Sequence, residues 1–578
     1  MNVRPYDPAG IISEQASLQA LLNCLIREIA IPRGWLTHEW PAGSEVPALD
    51  APTSAIPLWL RWPEGLSCLV LVDRISAQGV HRYLLRPWLR VSPDQPWQVP
   101  GYLALARAMV MPLAREQGTS LEALLAQMEQ SLGVMTELVS ARHGEGAAPL
   151  QGYIESEQSL WFGHSAHPAP KARQWPDGCR ADDYVPERRC RTRLHQWAVP
   201  RQGLCVQSAT LAEQQVLDSV GDQRLAGDGE AVLSMHPIQA RLFAEHPAVQ
   251  ALLAQGVIRD LGESGFEAWP TASLRTWYVE NHPFFIKGSL NVRVTNCVRK
   301  NAWYELDSTG VIDAVMGRIL ALNEPQLARL RLAREPASVS WAPPDTDIEQ
   351  QRWLTEQTGI VLRENFCQTA SPSRCVLAAS LFGRSTVLQP MISDLIGEAD
   401  RKAWFTAYLE ALLMPVLALY FRHGVVLEPH LQNCVLIHDD GWPAEVLLRD
   451  FEGVKLIEGS RWLEDDLSDA VRRSLTYSRA QGWQRIVYCL LINHLGEAVL
   501  ALSWDDPALG EALWAQLHRS LQNVYDRLGV DAPELAALLA GGDLPCKTNL
   551  LVRLRAAADR EAGYVSLPGF WRQEVACV

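Results

Sequence analysis

Two short apolar runs joined by a tight turn constrain this chain more than any other feature. The stretch from Leu427 to Lys455 reads LEPHLQNCVLIHDDGWPAEVLLRDFEGVK. The first run follows His430, Gln432 and Asn433, and the turn is Asp439-Asp440-Gly441. The second run ends in Arg449-Asp450-Phe451-Glu452-Gly453. Apolar runs of this length, bounded by turn residues, fold as strands, so Asn433 and Asp450 each fall at the edge of one. A side-chain amide oxygen and a carboxylate are ligands that Mg2+ takes from protein while phosphates and water fill its other positions. His430 could touch a phosphate or a carboxylate. Such a triple also arises by chance; the strand–turn–strand setting is what gives it weight.

Kinase-like folds hold metal and nucleotide with an Asn on one loop and an Asp at the end of the next strand. Here no Asp stands just after His430, where a phosphotransferase keeps its catalytic base. What a metal–nucleotide site would do without that base is left open by these residues alone.

At 578 residues the chain exceeds what one core supports, so several domains are expected. Pro-, Gly- and charge-rich stretches at Ala166–Cys190 and Ser338–Asp347 divide it into roughly 1–190, 191–350 and 351–578. Helical periodicity covers Ser13 to Ile31. A second helix starts at Thr119-Ser-Leu-Glu122, read as a capping box, with a stripe through Leu121, Leu124, Leu125, Met128, Leu132, Met135 and Leu138. From Asp400 the chain is mostly helical around the strand–turn–strand. The fold class is α+β.

The charge balance excludes some partners. With 52 Lys+Arg against 66 Asp+Glu the net charge is −14, which leaves no footprint for nucleic acid. An anionic ligand needs a local basic pocket. The 12 Cys include no C-x-x-C pair, as expected for reduced thiols in the cytoplasm. The opening MNVRPYDPAG is no signal peptide. No apolar run reaches the ~18 residues of a membrane span, and Tyr408 to Phe421, carrying Glu410 and Pro415, reads as a buried helix.

Two segments supply basic clusters. In GHSAHPAPKAR, Gly163 to Arg173, Pro168 and Pro170 exclude the helix on which a His-x-x-His metal pair sits. Anion binding through His164, Lys171 and Arg173 fits the residue types better, and an ordinary surface loop fits as well. In the run Ser273 to Leu306, period two along one strand puts Asn291, Arg293, Thr295, Cys297 and Arg299 on one face. Ser273, Arg275, Thr276 and Lys287 extend it. That face is either a polyanion wall, for which the planar fork of Arg is suited, or a solvated sheet face.

These constellations, in this order, resemble the NRPS-independent siderophore synthetases, the IucA/IucC family. The resemblance rests on GHSAHPAPK, HPIQ at His236–Gln239, SLRT, KGSLNVRVTNCVR, EPHLQN, LLRDFEG, INH at Ile492–His494 and KTNLLVRL at Lys547–Leu554. VTNCVR and EPHLQN look most like the citrate-using type A branch, its achromobactin- and aerobactin-type members. HPIQ replaces the frequent HPWQ, and GHSAHP the frequent GHPxHP.

The resemblance implies a cupped hand: an N-terminal thumb (1–190), fingers with an antiparallel sheet (191–350) and a mostly helical, distantly kinase-like palm (351–578). It implies ATP and Mg2+ as cofactors, citrate and an amine as substrates, and a homodimer. His164, Lys171, Ser273, Thr276, Lys287, Arg299, Gln432 and Asn433 would contact ATP. Asn433 and Asp450 would hold Mg2+. Arg275, Thr295, His430, Arg485 and Lys547 would face citrate, and Arg299, His430 and Lys287 would carry the catalysis. The implied reaction adenylates a citrate carboxylate and condenses it with an amine. A citrate carboxylate, with a pKa near that of Asp or Glu, arrives ionised, so the first step needs no base. The rivals are a small-molecule phosphotransferase, which keeps a carboxylate base near His430 and makes ADP, and a non-catalytic nucleotide-binding regulator.

Overall fold

The computed structural model of the chain describes residues 7–41, 52–76, 78–84, 86–142, 150–179, 181–294, 297–397, 399–464, 467–558 and 561–572. Helix Pro8–Leu25 starts on a proline, whose missing N–H costs nothing in a first turn. It runs into a π-helical turn, Ile26–Ala30, whose five residues are all buried. Strands Leu36–Thr37, Ile56–Arg61, Ser67–Val72 and Trp88–Arg90 form an antiparallel sheet beside it. The continuous apolar run of Ser67–Val72 is buried at every position.

In helix Glu122–Arg142 the expected stripe is buried, with Leu132 at its partly exposed margin. The expected capping box does not form. The Glu122 backbone N–H donates to Ser120 Oγ at 3.3 Å, and the Glu122 carboxylate is taken by Arg107 at 2.7 Å.

The middle of the chain builds a seven-stranded antiparallel sheet. Its order is Thr192–Arg193, Glu267–Pro270, Thr276–Tyr278, Phe284–Gly288, Ile360–Glu364, Ala337–Trp341 and Leu204–Ser208. Trp277, Trp341, Ile286 and Leu362 fill one core against it. Two expectations change here. Ser338–Trp341, read as part of a linker, is a buried inner strand, because Val339 and Trp341 alternate with small serines that pack as readily as they solvate. The sheet also takes Ile360–Glu364, past residue 350, while Arg331–Leu332 leaves to pair with Trp442–Leu448.

The single strand expected over Leu290 to Arg299 is a hairpin, Leu290–Val294 paired with Cys297–Arg299. Leu290 stands opposite Arg299 and Arg293 opposite Val298, across a bulge. Arg293 and Arg299 therefore do not share one strand's face. Period-two alternation continues unbroken across a two-residue connection, so the pattern alone cannot register the reversal. Thr295 lies outside the described residues.

In the C-terminal part, Arg331–Leu332, Trp442–Leu448, Cys434–Asp439 and Cys375–Leu377 make a sheet against helix Arg401–His423. Asp400 caps that helix through Lys402 N and Ala403 N, and Gly424, with φ +67°, ends it. The strand–turn–strand forms as read, with Asp440 and Gly441 at φ +48° and +86° in the turn. Two helices, Arg401–His423 and Arg479–Leu502, are long and apolar enough to cross a membrane, and both are mostly buried inside the fold.

Candidate active site

The cleft is built where the seven-stranded sheet meets the loop after Trp442–Leu448. Lys287 sits on strand Phe284–Gly288, directly across from Thr276. Just before Thr276 the chain turns tightly: Thr271 N–H donates to Thr276 O at 2.9 Å, and Thr276 N–H to Ser273 Oγ at 3.2 Å. Leu274 takes φ +67° to make this turn, and Asp450 takes φ +79° on the opposite side. Left-handed backbone is costly for both residue types, and it persists where the surroundings over-determine it.

Three cations and three carboxylates interlock here. Lys287 Nζ lies 2.6 Å from Asp450 Oδ1, 3.0 Å from Glu452 Oε2 and 3.7 Å from Glu335 Oε1. Arg363, on the strand beside Lys287, reaches Glu335 Oε1 at 2.6 Å and Asp450 Oδ1 at 2.9 Å. Arg275 donates to Asn301 Oδ1 at 2.5 Å and to Glu452. Burial alone would raise the Asp450 pKa, but Lys287 and Arg363 hold it well below the usual carboxylate range. Glu452 is held at about 2, its burial outweighed by Arg275 and Lys287. Burial opposes the charge on Lys287, yet Asp450, Glu335 and Glu452 raise its pKa above the ordinary value. These groups are ionised at neutral pH. Burying so many charges is a poor way to gain stability, which makes the cluster a candidate functional site.

A second group borders it. His430 Nε2 lies 4.0 Å from Glu428 Oε2, whose other oxygen is 3.4 Å from Arg485 Nε. A carboxylate thus precedes His430 although none follows it, and Arg485 is paired with it. Burial lowers the His430 pKa, with Arg485 and Lys547 adding to the effect and Glu428 and Asp450 opposing it. Burial, then His167, Arg27, His430 and Lys547, lower His164 to about 3. His164 Nδ1 accepts from Ala166 N–H at 3.0 Å, and its Nε2 pairs with Asn493 Nδ2 at 2.7 Å. His164, His430 and Lys547 therefore share one electrostatic neighbourhood, with both imidazoles neutral at pH 7. Glu305 is pushed up to about 7 by burial and by Glu452, against Arg275 and Lys455.

The remaining expected residues are placed as follows. Asn433 is buried; its N–H donates to His430 O at 2.9 Å, and its carbonyl accepts from Arg449 N–H at 3.0 Å. The Gln432 carbonyl accepts from Arg449 Nε and Nη2 at 3.0 and 2.8 Å. Arg299 Nε is buried and meets no hydrogen-bond partner among the described residues. Lys171 Nζ lies 2.5 Å from Glu187 Oε1, which Arg173 also contacts at 2.6 Å. A nucleotide would reach Lys171 only by displacing Glu187.

Arg363, Glu335, Glu452, Glu305, Glu428 and Asn301 were not singled out from the sequence as site residues. Glu452 lies inside the quoted LLRDFEG and Asn301 just past KGSLNVRVTNCVR, so both could have been noticed. Arg363 and Glu335 could not: Arg363 arrives on strand Ile360–Glu364 and Glu335 on the connection before Ala337–Trp341, and no motif marks either. Among the described residues no three of His, Cys, Asp and Glu gather as a metal cage. An ionised Asp450 beside Asn433 instead suits a hard cation that brings its own phosphates and water.

Residues 152–383 match the IucA / IucC family, and residues 402–562 match a family described as ferric iron reductase FhuF-like transporter. The L-2,3-diaminopropanoate–citrate ligase of Staphylococcus aureus is 28% identical over 73% of this chain and 75% of its own. The spermidine–citrate ligase of Bacillus anthracis is 25% identical over 94% of both chains. The fold matches the ATP-bound aerobactin synthetase IucA of a hypervirulent Klebsiella pneumoniae pathotype, with a TM-score of 0.82 and 23% identity over 96% of this chain and 99% of that one.

Proposed function

The chain belongs to the IucA / IucC family, and from that membership we propose that it is an ATP-dependent siderophore synthetase. It adenylates a carboxylate of citrate and condenses it with an amine to an amide, releasing AMP and pyrophosphate. The similar proteins are named for joining diaminopropanoate or spermidine to citrate. The observation that carries the reading is the convergence of Lys287, Arg275 and Arg363 on the ionised Asp450 and Glu452. Citrate and a triphosphate are both polyanions, and only a cationic, preorganised wall brings them together.

A citrate oxygen attacks the α-phosphorus of ATP; the new O–P bond forms as the bond to the pyrophosphate oxygen breaks. The amine nitrogen then adds to the acyl carbon, the C–O bond to AMP breaks, and the nitrogen loses a proton. Lys287 and Arg299 offset charge on the phosphates, with His164, Ser273, Thr276, Gln432 and Asn433 holding the nucleotide, and Lys171 joining them if it leaves Glu187. Arg275, Thr295, His430, Arg485 and Lys547 hold citrate in line with phosphorus, which supplies rate by proximity. Asn433 and Asp450 would hold Mg2+, which when bound supplies further positive charge beside the phosphates. The first step asks no base of the protein, which fits a Glu428 already paired with Arg485.

We place the enzyme in the cytoplasm as a homodimer, as the family resemblance implies. Among the cysteines whose side chains are described, none is joined in a disulfide, as a reducing compartment keeps them. Incubation with ATP, Mg2+ and citrate tests the reading: pyrophosphate release supports it, and ADP as the nucleotide product overturns it. A panel of amines run with citrate then identifies the acceptor.

A further inference from the structure

Arg449 lies between the metal-binding candidates, and its side chain hydrogen-bonds to the side chain of neither. Its side chain is 5% exposed and that of Glu157 0%. Nη1 donates to Glu157 Oε1 at 2.5 Å and to Tyr153 Oη at 2.7 Å. Nε and Nη2 both donate to the carbonyl of Gln432, and the Arg449 N–H donates to the carbonyl of Asn433. The second oxygen of Glu157 accepts from Ala272 N–H at 2.8 Å. One buried pair thereby holds the backbone just before Ser273-Leu274-Arg275, the backbone of Gln432 and the chain entering Asp450.

The two strained residues of the cleft stand next to these anchors. Leu274, at φ +67°, is two residues past Ala272, and Asp450, at φ +79°, follows Arg449. Conformations of this kind need external constraint to persist, and Glu157 and Arg449 supply it on both sides. A pair serving stability alone would be replaced by apolar packing at little loss. This one spends its bonds on backbone groups of the two loops that face each other.

We propose that Glu157 and Arg449 are positioning residues that set the separation of the Ser273–Arg275 loop from Asn433 and Asp450, and so the fit of Mg2+–ATP. The proposal rests on the reading of Asn433 and Asp450 as metal ligands. The test titrates a non-hydrolysable ATP analogue with Mg2+, without citrate, into full-length wild type, Glu157→Gln, Arg449→Lys and Asp450→Asn by calorimetry, with melting curves alongside. Arg449→Lys keeps the buried charge and loses the fork to Gln432, so it serves where Glu157→Gln folds poorly. Loss of groups that orient metal ligands weakens affinity about 10- to 100-fold, and we expect at least the lower figure in both pair variants. A pair with a purely structural role lowers Tm and the calorimetric stoichiometry but leaves Kd of the folded fraction at the wild-type value. That result overturns the proposal, provided Asp450→Asn is weakened. If Asp450→Asn keeps the wild-type Mg2+ dependence, the metal reading falls and takes the proposal with it.

Discussion

Lys287 Nζ stands 2.6 Å from Asp450 Oδ1, and Arg363 Nη2 stands 2.9 Å from the same oxygen. The carboxylate assigned to Mg2+ is therefore engaged by two internal cations before any ligand arrives. On the proposed reading metal and nucleotide would bind together, since phosphate oxygens would give Lys287 a new partner where Asp450 turned to the metal. Mg2+ titrated without nucleotide should bind weakly to the wild type. Lys287→Met should bind Mg2+ alone about tenfold more tightly, one of two competing charges being gone, while its pyrophosphate release falls by about 100-fold or more. Unchanged Mg2+ affinity in that variant would show that Lys287 does not compete for the site.

Arg299 Nε is a buried donor with no acceptor among the described residues. Such donors are rare in folded proteins and call for an explanation; under the proposed function a phosphate oxygen of ATP would supply one. Arg299→Ala should lower pyrophosphate release by about 100-fold or more and shift Tm by no more than about 3 °C. Near-normal release would remove Arg299 from the site.

Glu305 titrates at about 7, with Glu452, Arg275 and Lys455 facing it. Above that pH it adds a negative charge beside sites for two polyanions. The KM for citrate should rise several-fold, roughly, between pH 6.5 and 8. Glu305→Gln keeps an oxygen for the Ala302 N–H that Glu305 now accepts at 2.8 Å, and it should flatten this rise. A variant whose KM climbs as steeply as the wild type would sink the assignment.

Much of this cleft was legible before any coordinates. The turn at Asp440-Gly441 demands positive φ and obtains it, so the strands pair and Asn433 and Asp450 meet at one end. Lys287 and Thr276 were expected on one basic surface and stand directly opposite each other. The partners of these residues were not legible. Arg363 comes from strand Ile360–Glu364, whose apolar start reads as core, and Glu335 from the connection before Ala337–Trp341, which no pattern marks. Glu187 follows Lys171 by a loop, and only folding shows that it takes the charge assigned to an anion. The hairpin at Leu290–Arg299 was hidden because a reversal need not disturb alternation. The sheet's reach past residue 350 was hidden for a related reason: a sheet recruits strands by edge pairing, which leaves no mark in composition.

His236, from the HPIQ motif, gives the clearest pH prediction. Its ring is 2% exposed, and Nδ1 accepts from Ile238 N–H at 3.0 Å to cap helix Pro237–Glu245. Burial lowers its pKa to about 3. A histidine whose pKa is lower folded than unfolded binds more protons in the unfolded chain, so stability falls as pH drops from about 6.5 towards 3. At pH 5 the unfolded ring is almost fully protonated and the folded ring is not, which costs about 2 kcal/mol relative to pH 7. His236→Asn retains a capping oxygen and carries no titrating group. Urea unfolding at pH 7 and pH 5 should show the wild type losing about 2 kcal/mol more than the variant between the two. Equal losses in the two proteins would mean that His236 is protonated in the fold, with its cap broken, already at pH 5.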